Sequence, residues 1–221
     1  MEPAIAILIP ALVAALMAAL APALLRWLPA PDDEPGLNFA AVGTRRFRLA
    51  LASACLATGA VLLLTTEPAL WPVWVPMAAF GPLLALIDAH TGFLPLRLNY
   101  LTLALVTVGT AASCWLRSDW RPALVALAGG AGAAACYALI WWLSHGRLGF
   151  GDVRLAGLLG VAAGATSVSV LVGTFVLGSL VGAAWAIAVR LSGRGSEFPY
   201  GPSMLLGAPA ALLLAAAVSA G

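Results

Sequence analysis

A chain of 221 residues, 62% hydrophobic and only 9% charged, with a mean hydropathy of +1.02, is excluded from the soluble globular class. Composition predicts an all-helical polytopic membrane protein, a single domain over residues 1–221, with about eight spans of ~20 residues and no room for a sizeable soluble domain. The formal net charge of +2 comes without a basic patch interleaved with aromatics, so the expected partner is the lipid bilayer and no nucleic acid is expected. The first apolar run, residues 4–28, is too long for a signal-peptide core and follows Glu2 rather than a basic region, so it reads as a retained span. Residues 29–46 form the longest polar stretch, a loop carrying Asp32, Asp33 and Glu34 and then Arg45 and Arg46.

A second span is predicted over about residues 47–64 and a third over about 70–87, which Pro72, Pro76 and Pro82 should bend and which should stop at Asp88. Gly92 and Pro95 mark a break before a fourth span at 98–116. Pro122 suits the first position of a fifth helix that continues to about residue 143, with Trp141 and Trp142 at the interface. Residues 155–191 are apolar for too long to be one helix; Gly164 to Ser167 is the expected break, leaving a short sixth span and a longer seventh. A loop at 192–200 precedes an eighth span that begins after Gly201 and Pro202. The spacings Gly160/Gly164 and Gly178/Gly182 allow close helix approach. Cys55, Cys114 and Cys136, without a C-x-x-C pair, read as small buried hydrophobes rather than metal ligands or disulfides.

Orientation follows from arginine, since the chain has no lysine. With spans alternating, Arg26, Arg45, Arg46, Arg48, Arg97, Arg147, Arg154, Arg190 and Arg194 share one face, and only Arg117 and Arg121 fall on the other. By the positive-inside rule the arginine-rich face is cytoplasmic and both termini lie outside. Asp88 and Asp152, each at the edge of an apolar run, then fall on that same cytoplasmic face.

A carboxylate at a membrane edge is costly unless paired, hydrated or used, which makes both aspartates site candidates. The bland alternatives are that Asp88 merely terminates a helix and that Asp152 is an N-cap satisfying the first amides of the next. If the two meet, the matching chemistry is amide hydrolysis: one carboxylate, ionised, takes a proton from water while the other, protonated, polarises the scissile carbonyl. No metal or other cofactor is required. Asp152 opens a helix, where the dipole favours an anion, and Asp88 ends one, which assigns Asp152 as the mainly ionised partner. A different class of function, a transporter or assembly factor binding a proton or cation on the same carboxylates, competes with this reading; it calls for mid-membrane polar residues and inverted repeats, and neither is clear here.

Several ordered motifs resemble the type IV prepilin peptidases, membrane aspartic proteases of the GxGD type. Leu86-Ile87-Asp88 with Leu94-Pro95 resembles the family's first aspartate segment, and Gly149-Phe150-Gly151-Asp152-Val153-Arg154-Leu155 its second, 64 residues on between aspartates. Phe198-Pro199-Tyr200-Gly201-Pro202 is similar to the element before the last span, and the likeness covers about residues 75–210. The resemblance implies an endopeptidase that removes the basic leader of prepilin or pseudopilin precursors of type IV pili or type II secretion, at the cytoplasmic membrane face. Asp88 and Asp152 would be the catalytic pair, with Gly149, Gly151, Pro95, Gly201 and Pro202 binding substrate or supporting the motifs. Bifunctional members carry paired C-x-x-C motifs in the first loop and N-methylate the new terminus; residues 29–46 hold no cysteine, so methyltransfer is not expected. His90 stands where many relatives have a second acid.

The remaining polar residues read more simply. His90, close to Asp88 in sequence, could tune it or contact substrate, but like His145 it lacks metal-ligand company and is read first as a solvated interfacial histidine. Asp32, Asp33 and Glu34 form a solvated acidic loop that would attract a basic leader only secondarily. Arg97, Arg147 and Arg154 surround the candidate site, and neither Ser144 with His145 nor Ser203 sits in a G-x-S-x-G element.

Overall fold

The computed structural model describes residues 3–31, 34–192 and 199–220. Among the described residues eight α-helices run in order: α1 Pro3–Trp27, α2 Arg45–Thr65, α3 Trp71–Thr91, α4 Leu96–Arg117, α5 Arg121–Leu143, α6 Phe150–Thr166, α7 Val168–Leu191 and α8 Gly201–Ala220. No strand occurs among the described residues. Seven helices are long and apolar enough to cross a membrane. The exception is α6, expected as a short sixth span, whose 17 residues fall short of that length, so that seven of the eight expected spans meet it.

Helix ends depart from the predicted ones where capping decides. α3 continues past Asp88 to Thr91, because Gly92 adopts the left-handed conformation (φ 71°) and donates its N–H to the Asp88 carbonyl at 2.7 Å. α3 is continuous through Pro76 and Pro82, and Pro72 occupies its first turn. The α6–α7 break falls where expected: Ser167, extended, caps α7 by accepting from Val170 N. Trp74 Nε1 donates to Thr166 Oγ1 at 3.1 Å, tying that break to α3. The loop after α1 is more ordered than its polarity suggests, since a short 3-10 turn at Phe39–Val42 buries Phe39 completely.

Packing centres on α3 and α6. Antiparallel neighbours pair as α1 with α2, α3 with α4, α5 with α6 and α7 with α8, while α6 also touches α3, α4, α7 and α8. Leu155, Leu158, Leu159, Ala162 and Ala163 of α6 are wholly buried. α1 and α7 instead expose stripes at four-residue spacing, Leu12, Leu16 and Leu20 on one and Val168, Val172, Val176 and Leu180 on the other, as lipid-facing helices do. Cys55 and Cys114 are buried as expected, but Cys136 is exposed on α5: a helix bathed in lipid has no need to bury an apolar side chain in protein.

Candidate active site

Asp88 lies in the last turn of α3 and Asp152 in the first turn of α6, and both line one cavity of about 420 Å³. They are close enough for the Asp88 charge to act on Asp152, and each is at least nine-tenths buried. The cavity walls come from Pro29–Pro31 after α1, from Gly92, Phe93, Leu94, Pro95 and Leu96 between α3 and α4, and from Gly149, Phe150, Gly151 and Arg154. Segments separated by 64 residues thus supply the two carboxylates at one end of the bundle.

Asp152 is the third residue of α6 and not its N-cap; Gly149 takes that position, and the carboxylate reaches back to the Gly149 backbone. The geometry is that of a capping box, in which the side chain at the third position satisfies the amide at the cap. Asp88 ends α3 but also faces the start of a second helix. Gly201, the first residue of α8, donates its N–H to Asp88 Oδ2 at 3.0 Å. Both carboxylates therefore sit at helix N-termini, and the dipole no longer separates an ionised from a protonated partner as the two local sequences suggested.

The motif residues divide between two tasks. Pro95 is the N-cap of α4 and accepts from Asn99 N, and it lines the cavity with Gly149 and Gly151. A Cβ on Gly151 would stand 2.9 Å from Leu94 Cβ, so this glycine lets the second aspartate segment lie directly on the first. Gly201 touches Asp88, whereas Pro202 lines an apolar crevice between α2, α3 and α8.

Of the flanking cations, only Arg154 lines the cavity: its guanidinium lies 4.9 Å from the Phe150 ring centroid and its Nε is buried without a partner. Arg97 instead donates to the Trp27 carbonyl and stacks on that indole, pinning α1 to α4. His90 is exposed, with Nδ1 2.8 Å from the Leu86 carbonyl and its ring edge-on to Phe47, away from the cavity. His145 occupies a left-handed turn beside Trp141 and Trp142. Asp32, Asp33, Arg194, Glu197 and Phe198 lie outside the described residues. Among the described residues no three His, Cys, Asp or Glu side chains gather as a metal site would require.

Two contributors escaped the sequence. Phe39 and the Pro29–Pro31 segment close the cavity from the first loop, and the signal was one aromatic residue in a polar stretch. Tyr137 of α5 is buried, feels the Asp152 charge and packs 6.4 Å from Tyr200, but one tyrosine inside a long apolar run carries no local mark.

Two buried carboxylates thus line one cavity in a bundle of apolar helices, and the model of the type IV leader peptidase family matches residues 73–187, from α3 to the last third of α7. The chain belongs to the type IV leader peptidase family. No curated protein and no solved structure gives a significant match.

Proposed function

We propose that the protein is an aspartic endopeptidase that cleaves the basic leader from prepilin-like precursors at the cytoplasmic membrane face, with Asp88 and Asp152 as its catalytic pair. The observation that carries this reading is the convergence of the two buried carboxylates on one cavity, within a chain whose family cuts leader peptides. Two carboxylates this close share one proton rather than ionise together. The ionised member takes a proton from water as the oxygen attacks the scissile carbonyl carbon, and the protonated member donates to the carbonyl oxygen. Collapse of the tetrahedral adduct breaks the C–N bond and delivers a proton to the leaving amine. The Gly201 amide holds Asp88 in place, and the Gly149 backbone does the same for Asp152. The cavity walls Phe93, Leu94 and Phe150 suit the extended peptide between a cytoplasmic leader and a membrane-bound helix.

Co-expression with a prepilin tests the pair. Wild type yields processed product, while Asp88→Asn and Asp152→Asn each lower cleavage by about 10²-fold or more, the scale of a lost general acid or base. Normal processing by either variant sinks the dyad.

A further inference from the structure

α7 carries a notch in which α8 begins. A Cβ on Gly182 would stand 2.8 Å from Tyr200 Cε2 and 2.9 Å from Ser203 Oγ, and one on Gly178 would stand 3.2 Å from the Ser203 carbonyl oxygen. The pair sits one turn apart, at the small-residue spacing that lets helices approach: Gly178 admits the α8 backbone and Gly182 the edge of the Tyr200 ring. The Tyr200 ring lies against Gly182, its hydroxyl lies 3.3 Å from Ser179 Oγ, and its face inclines on Tyr137 at 6.4 Å. The Tyr200 carbonyl is held as well, accepting from Ser203 Oγ at 2.7 Å and from Met204 N at 3.2 Å.

The next backbone group along the chain is the Gly201 N–H that meets Asp88. There is no slack at that contact, since a Cβ on Gly201 would come within 2.6 Å of the same carboxylate oxygen. On the other side Tyr137 packs on Phe175 at 5.8 Å. The tyrosine pair therefore ties α5, α7 and α8 together beside that contact.

We propose that Tyr200, seated against Gly182 of α7 and tied to Ser179, is a positioning residue that aims the Gly201 amide at Asp88. This rests on the reading of Asp88 as catalytic. Tyr200 acts through the backbone that fixes the carboxylate, and displacement of a reacting group by a fraction of an ångström is expensive in rate.

The test uses the full chain purified in detergent, with steady-state cleavage of a prepilin that the wild type processes, rates normalised to folded protein. Tyr200→Phe and Ser179→Ala are each expected to lower kcat by about tenfold with KM within about twofold, and the double variant to be no worse than either single one. Ser179 is exposed, so its variant removes a hydroxyl without disturbing the core and stands as the control should a Tyr200 variant fail to fold. Unchanged kcat in the folded fraction, a loss confined to KM, or fully additive losses would each overturn the proposal. Asp88→Asn in parallel separates the two ideas. Full activity of that variant defeats the dyad itself, whereas an inactive Asp88→Asn beside an unimpaired Tyr200→Phe and Ser179→Ala defeats only the positioning role.

Discussion

The two glycines ahead of Asp152 invite a single explanation, that a substrate backbone must come close, yet their surroundings differ. A methyl on Gly149 would make an ordinary contact, 3.4 Å from Asp152 Oδ2, whereas one on Gly151 would collide with Leu94 at 2.9 Å. Gly151→Ala is therefore expected to lower stability by about 1–3 kcal/mol, the usual range for overpacking, measured as thermal unfolding in detergent. Because the obstructing atom is Leu94 Cβ itself, Leu94→Ala does not relieve the collision and Leu94→Gly does. Gly149→Ala should fold like wild type, so any fall in its cleavage rate reports on substrate approach. A neutral Gly151→Ala would remove the case that this glycine joins the two aspartate segments.

At the level of helices the short α6 depends on glycine on both sides of its contact with α5. A Cβ on Gly160 would stand 2.5 Å from the Gly129 carbonyl oxygen, and one on Gly164 2.8 Å from that of Val125, so backbone lies directly on backbone. Gly132, also on α5, has nothing within 4 Å of its missing Cβ. Gly160→Ala should cost about 1–3 kcal/mol or more, while Gly132→Ala should gain up to ~1 kcal/mol from helix propensity, a difference in sign readable by thermal unfolding. Helix number and approximate position were legible in the sequence because lipid forces each spanning backbone to satisfy itself within one long apolar helix. The pairing of helices was not. Spans apolar all round present no face to read, so nothing local announced that Tyr137 belongs beside Tyr200 or that α8 starts on Asp88. The aspartates themselves stood out because a charge in an apolar run is conspicuous, but the dipole acting on Asp88 comes from a helix 113 residues away in the chain.

Across the whole molecule the arginines and the contacts between helix ends agree on which ends lie together. At one end Arg117, closing α4, pairs with Glu67 before α3 at 3.0 Å; at the other Arg97, opening α4, holds the Trp27 carbonyl that closes α1. The second end carries the cavity with both aspartates and most of the arginines, so by the positive-inside rule it is the end expected on the cytoplasmic side. Single cysteines in a background with Cys55, Cys114 and Cys136 replaced test that orientation. Ser118→Cys, in the exposed turn between α4 and α5, should react with a membrane-impermeant maleimide on intact cells, and Gly36→Cys, exposed in the loop after α1, only after permeabilisation. Both positions have room for the side chain: a Cβ on Gly36 meets nothing within 4 Å, and cysteine is nearly isosteric with serine. The opposite pattern would put the aspartates on the outer face, where a leader retained in the cytoplasm never reaches them, and would defeat cytoplasmic cleavage even with the dyad intact.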